Sequence, residues 1–189
     1  MITNNVSLTK RFFEETGGFD GRFEGFGWED WEFGYRAAQH GAIFIHDDAV
    51  VNFHQEHPIL PENRFESRRN FLRFCEKYYG ELEIKLLALI MMPDFVTLPE
   101  INGYLTEYNS IRAIYPKRFR AFYHYVDTAV NMLLQRLWDM EEMTLPVAGS
   151  VLSAEEDMDV QADLSVIREL ASFPKLVELY ERLSKYFFI

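Results

Sequence analysis

The spacing of apolar residues changes character near residue 60, and that change constrains the fold more than any other feature of the chain. Before it, glycines and polar turns break the sequence every few residues, and short alternating runs mix with short helical ones. After it, apolar residues recur at intervals of three and four, the mark of amphipathic helices. The expected class is therefore α+β, predominantly α. Four parts follow: a small mixed α/β portion over 1–60, a helical region over 61–142, an acidic linker or mobile loop over 143–163, and closing helices over 164–189. With 189 residues, 48% of them hydrophobic and 16% aromatic, the chain has the material for a sizeable core.

Local signals place the elements. Asn5-Val6-Ser7-Leu8 reads as a short strand, and Thr9 caps a helical segment through Glu15 that stops at Gly17-Gly18. A glycine-punctuated loop from Gly21 to Gly27 leads into a helix over 29–40, with Glu32 and Arg36 four apart and Gly41 closing it. Ala42-Ile43-Phe44-Ile45 and Ala49-Val50-Val51-Asn52-Phe53 read as strands around a turn at His46-Asp47-Asp48. Beyond residue 60, Asn63 caps a helix with Phe65, Phe71, Leu72, Phe74, Cys75 and Tyr78 on one face, and Gly80 ends it. The run over 82–92 is apolar nearly all round and predicts a buried helix. Pro99 and Pro116 stand at first helical positions, of a short helix over 99–108 and a long one over 116–142. Phe119, Phe122, Val126, Val130, Leu133 and Leu137 form a stripe for core or subunit contact. Ser153 and Glu156 have the spacing of a capping box, and Leu164, Ile167, Leu170, Leu176, Leu179, Tyr180 and Leu183 are the last stripe.

Charge excludes some functions. A formal net charge of −11 argues against binding that rests on neutralising phosphates, in nucleic acid or at an anionic membrane. Asp139 to Asp163 holds eight acids and no Lys or Arg, which makes it a linker candidate. The single cysteine, Cys75, has no intrachain partner and reads as a buried, inert thiol. Met1-Ile2-Thr3-Asn4-Asn5 lacks the features of a secretory signal, and the longest apolar run, over 86–92, is far short of the ~20 residues that span a bilayer. A cytoplasmic location is expected, with peripheral membrane association of a complete enzyme left open.

Three features of the first 57 residues suggest chemistry. Gly17-Gly18-Phe19-Asp20 is a turn with unusual backbone freedom. Phe26-Gly27-Trp28-Glu29-Asp30-Trp31-Glu32 opens a helix with two adjacent acids, where the helix dipole and unpaired N–H groups keep a carboxylate ionised and fixed. Those properties suit a general base, and simple N-capping by Glu29 or Asp30 is the plainer reading. His54 ends a predicted strand, where an imidazole reaches a metal or a site, although a structural role fits it as well.

The order of these motifs, from Asn5-Val6-Ser7-Leu8 through Gly17-Gly18-Phe19-Asp20 and Gly27-Trp28-Glu29-Asp30-Trp31-Glu32-Phe33-Gly34-Tyr35-Arg36 to Gly41 and His54-Gln55-Glu56, resembles the C-terminal part of a GT-A type nucleotide-sugar glycosyltransferase. The likeness is to family 2 transferases of the chondroitin-polymerase type and to the galactosyltransferase C-terminal segment, and it covers residues 4–58. It implies an inverting hexosyltransferase that moves a sugar from a nucleotide-sugar donor to a glycan acceptor in polysaccharide biosynthesis. By the same resemblance Asp30 takes the acceptor proton, Glu29 holds the acceptor sugar, Trp28 offers its ring for stacking, Gly27 belongs with them to the substrate-binding set, and His54 binds Mn²⁺ (or Mg²⁺). Arg36 matches a recurring arginine of the family. The resemblance further implies a nucleotide-binding half with an Asp-x-Asp metal motif, for which there is no room before Asn4. Asp157-Met158-Asp159 has the spelling but lies in the acidic stretch on the wrong side of His54. Where the family doubles a glycine, this chain has Gly27-Trp28. The isolated chain is thus expected to be inactive.

Two other readings stand beside this one. The chain fits a non-catalytic helical interaction module built on a degenerate transferase remnant, with a homo-oligomer through the helical region left open. It also fits, more weakly, a metal-binding protein using His46, Asp47, His54 and His57.

Overall fold

The computed structural model describes residues 5–53, 58, 60–92, 96–139, 168 and 170–186. The chain divides into two compact units, Met1–Lys77 and Tyr78–Ile189.

Among the described residues the first unit is built on three helices, α1 (Lys10–Glu15), α2 (Glu29–Gln39) and α3 (Pro61–Lys77). Thr9 Oγ1 accepts from the Phe12 amide at 3.2 Å and opens α1 as its position predicts. The chain leaves α1 through Gly17 and Gly18, both at positive φ. Phe13, Phe19 and Phe33 meet with ring centroids 5.1–5.7 Å apart, which ties this turn to α2. On the other side of α2 the core holds Phe71, Leu72, Phe74 and Cys75 of α3, all essentially without exposure. Burial of Cys75 agrees with an inert thiol. Phe65 departs from the expected apolar face and is exposed. Its part of α3 turns polar residues inward instead, because what it packs against is backbone, as described below.

The predicted strands are not formed. Residues 6–8, 42–47 and 50–53 have no regular structure, and no strand occurs among the described residues. The physical reason is the absence of a ladder: the hydrogen bond between Asn5 Nδ2 and the Val50 carbonyl, 3.1 Å, is a side-chain bond, and a lone two-strand pairing is marginal in water. A turn at Asp47 does form, with its Oδ1 accepting from the Ala49 amide at 2.9 Å. The apolar residues of these segments stay in water, with Ile43 and Ile45 each 87% and Phe53 98% exposed. The fold is thus predominantly helical, and the α/β portion is not seen.

The second unit is helical. The apolar run splits into a short helix α4 (Leu82–Lys85) and a 3₁₀ segment (Leu86–Met91), with Leu86, Leu87, Ala88 and Leu89 buried as expected. Helix α5 (Leu98–Ile114) is longer than the proline signal predicts. It opens on a capping box in which the Thr97 hydroxyl accepts from the Glu100 amide while Glu100 accepts from the Thr97 amide. Helix α6 (Arg120–Asp139) begins after a turn over 116–119, and its predicted stripe of Phe122, Val126, Val130, Leu133 and Leu137 is buried. The last helix, α7 (Pro174–Lys185), follows a 3₁₀ turn (Leu170–Ser172) and packs on α5 and α6 through Leu176, Leu179, Tyr180 and Leu183. Lys85 is buried and is neutralised by Asp127 at 2.6 Å, with Asn131 at 3.1 Å. No described helix is long and apolar enough to cross a membrane. The acidic stretch beyond Asp139, the Ser153/Glu156 box and Asp157-Met158-Asp159 lie outside the described residues.

Candidate functional site

The entry to α2 is an unusual piece of backbone. Gly27 has φ 88° and Trp28 φ 73°, two consecutive left-handed residues that turn the chain sharply into the helix. A bulky aromatic residue at positive φ costs on the order of 1–3 kcal/mol, so surrounding contacts must hold it there. They do. The Trp28 ring packs on Phe71 at 4.7 Å, Trp31 at 5.3 Å and Phe74 at 6.3 Å, and its Nε1 donates to Ser67 Oγ at 3.1 Å. A Cβ on Gly27 would approach that same Ser67 hydroxyl to 3.3 Å. Trp28 is consequently 8% exposed, and its indole serves as the anchor of the turn rather than as an open face for a sugar ring.

This turn presents Glu29 and Asp30 as the first two residues of α2. Both are half-buried. Glu29 Oε2 is shut off from water and has no hydrogen-bond partner among the described residues. A buried carboxylate oxygen left in that state costs roughly 1–3 kcal/mol or more until a donor reaches it.

Two charged networks make the site rigid. Glu32, one turn into α2, has no exposure and accepts from Arg36 Nε at 2.9 Å, Arg36 Nη2 at 2.7 Å and Lys77 Nζ at 2.7 Å. Arg36 also donates to the Thr16 carbonyl and, at 2.6 Å, to that of Gly18, so the Glu32/Arg36 pair joins α2 to the glycine turn. Lys77 reaches Asp20 at 2.7 Å, and Arg22 binds the same carboxylate through Nε and Nη2. Arg22, then Lys77, hold the Asp20 carboxyl well below the usual carboxylate range against the opposing effect of burial.

The second network is the inward face of α3. Asn70, fully buried, donates from Nδ2 to the carbonyls of Glu24 at 3.0 Å, Phe26 at 3.3 Å and Gly27 at 3.0 Å. Glu66 Oε2 accepts from the Phe26 amide at 2.9 Å. Arg73 Nη1 donates to the Arg22 carbonyl at 2.7 Å and to Asn70 Oδ1 at 3.1 Å. Gly25, at φ 77°, has the Glu66 carboxyl carbon 2.4 Å from where a Cβ would stand. Sequence reasoning missed Glu66, Ser67, Asn70, Arg73 and Lys77. Their one visible signal is helical spacing of polar residues within an otherwise apolar stretch, which a solvated face would also show.

His54 and His57 lie outside the described residues. His46 bonds Asp48 at 2.7 Å, with both side chains exposed. Among the described residues no three His, Cys, Asp or Glu side chains stand together to hold a metal ion. His54, the metal ligand that the resemblance implies, is not among those residues.

Comparison with known proteins finds glycosyltransferase sequences similar to the N-terminal part of the chain. Residues 1–51 match the family described as the N-terminal domain of galactosyltransferase, where the resemblance above pointed to that enzyme's C-terminal segment. Over 77 residues, 41% of this chain and 20% of the relative, it is 35% identical to a Bacillus subtilis (strain 168) protein named uncharacterized glycosyltransferase YfnE. Over 54 residues, 29% of this chain and 6% of the relative, it is 41% identical to hyaluronan synthase of Pasteurella multocida. The chain thus spans a small part of the curated relatives it matches. No solved structure matches it. The N-terminal portion is a glycosyltransferase-like segment, and the Gly27 to Arg36 motif lies within the matched family region.

Proposed function

We propose that this chain carries the acceptor side of an inverting glycosyltransferase, and that the nucleotide-sugar donor is held by polypeptide outside these 189 residues. The observation that carries the reading is the pair of half-buried carboxylates Glu29 and Asp30 at the start of α2, on a backbone turn braced by α3 and by the Glu32/Arg36/Lys77 cluster. An acceptor-sugar hydroxyl donates to the accessible side of the half-buried Glu29 carboxylate and is thereby fixed next to Asp30. As that acceptor hydroxyl attacks the anomeric carbon of the donor, Asp30 takes its proton, the new glycosidic bond forms, and the bond to the nucleotide diphosphate breaks with inversion. The hyaluronan synthase relative supports a growing glycan chain as acceptor. Exposure of Ile43, Ile45 and Phe53 supports the packing of this segment against further polypeptide of the transferase domain.

The test is made in a polypeptide that contains this chain and turns over a nucleotide sugar, scored by nucleotide release. Asp30→Asn keeps the shape and removes the base, and lowers kcat by ~10²–10⁴. Glu29→Gln mainly raises KM for the acceptor. Wild-type rates in both variants refute the assignment.

A further inference from the structure

A cleft opens on the first unit between the loop that carries Arg22, Phe23 and Glu24 and the last turns of α3, where Arg73, Glu76 and Lys77 share one helix face. These six residues line a cleft of about 490 Å³, within the ~300–1,000 Å³ of small-molecule sites. Its walls are held before any ligand arrives. Arg73 is fixed by the Arg22 carbonyl and Asn70, Arg22 by Asp20, and Lys77 by Asp20 and Glu32.

The charges of the lining select the ligand class. Arg22, Arg73 and Lys77 in the lining, with Arg36 behind on Glu32, supply four cations, and four carboxylates stand against them: Glu24 and Glu76 in the lining, with Asp20 and Glu32 behind. No positive excess remains for a phosphate or a carboxylate, and an anion would meet Glu24 and Glu76 directly. An apolar ligand would strand the charged groups. What matches is a neutral ring with many hydroxyls: its hydroxyl hydrogens go to the carboxylates, its oxygens accept from the guanidinium groups, and its C–H face lies on the half-buried Phe23 ring.

We infer that this cleft is a binding subsite for neutral sugar residues, distinct from Glu29 and Asp30 and serving a glycan acceptor. That role rests on the transferase reading, whereas the binding itself does not.

The experiment records amide chemical shifts of the full 189-residue chain during titration with maltotetraose, cellotetraose, N-acetylchitotetraose and mannotetraose, with inorganic phosphate and glucuronate as anionic probes. At least one tetrasaccharide is expected to shift Phe23, Glu24 and Glu76. Phe23→Ala weakens its Kd about tenfold, Phe23→Tyr restores it, and the exposed Glu76→Gln weakens it about threefold. The inference is overturned if none of the tetrasaccharides shifts these residues, if only the anions do, or if Phe23→Ala and Glu76→Gln bind as wild type. Loss of transfer in Asp30→Asn without sugar binding at the cleft removes this inference alone; binding at the cleft with full transfer in both Asp30→Asn and Glu29→Gln removes the transferase reading alone.

Discussion

Replacing Asn70 with alanine isolates the contact that shapes the loop before α2. An amide NH₂ has two hydrogens, so the three short contacts from Nδ2, at 3.0, 3.0 and 3.3 Å, amount to two full hydrogen bonds with one hydrogen shared. Each such bond contributes about 1 kcal/mol net, and the lost carbonyl partners and the freed Arg73 contact bring the expected loss to about 2–3 kcal/mol. At an m value of ~1.5 kcal/mol/M the urea midpoint falls by ~1.3–2 M. The assay is equilibrium unfolding followed by tryptophan fluorescence in a Trp138→Phe background, so that Trp28 and Trp31 report on the first unit alone. Ser67→Ala removes only the 3.1 Å bond from Trp28 Nε1 and sets the scale at about 1 kcal/mol. A loss below ~0.5 kcal/mol for Asn70→Ala refutes the claim that this side chain organises the loop.

Two more outcomes are expected. Gly25→Ala places a Cβ against the Glu66 carboxyl and forces a side chain onto φ 77°, so thermal melting shows a loss of ~2 kcal/mol or more, and the double variant Gly25→Ala/Glu66→Ala recovers only the steric part. Glu178 has its pKa lowered to about 2, first by the hydrogen bond from Lys175 and then by those from Tyr104 and Arg182. A folded value below the unfolded one stabilises the protein above the ordinary glutamate range near 4.3 and is lost as pH falls toward 2, so Glu178→Gln flattens the acid limb of Tm against pH across that window. An unchanged acid limb in the variant refutes the assignment.

What could be read along the chain was local. The Thr9 cap, the exit at Gly17-Gly18, the α2 span with its Glu32/Arg36 pair, and the buried stripes of α6 and α7 all rest on interactions a few residues apart, which spacing alone reveals. The Gly27 to Arg36 motif was legible for the same reason, and it directed attention to Glu29 and Asp30. Tertiary structure decided the rest. The β-type runs over 42–45 and 49–53 carry strand composition, but a strand exists only where a neighbour supplies its hydrogen bonds, and none is supplied among the described residues. Trp28 reads as an open aromatic beside two acids, yet its ring is drawn inward by Phe71, Phe74 and Ser67, some forty residues away. The polar face of α3 looks like a solvated surface until the loop over 22–28 brings backbone carbonyls and amides against it, which polar side chains alone can satisfy. Residue types and short spacings determined the helices and the place of the two acids at the start of α2; long-range contacts determined which aromatic is buried, how far the two acids are covered, and which face of α3 holds the site in shape.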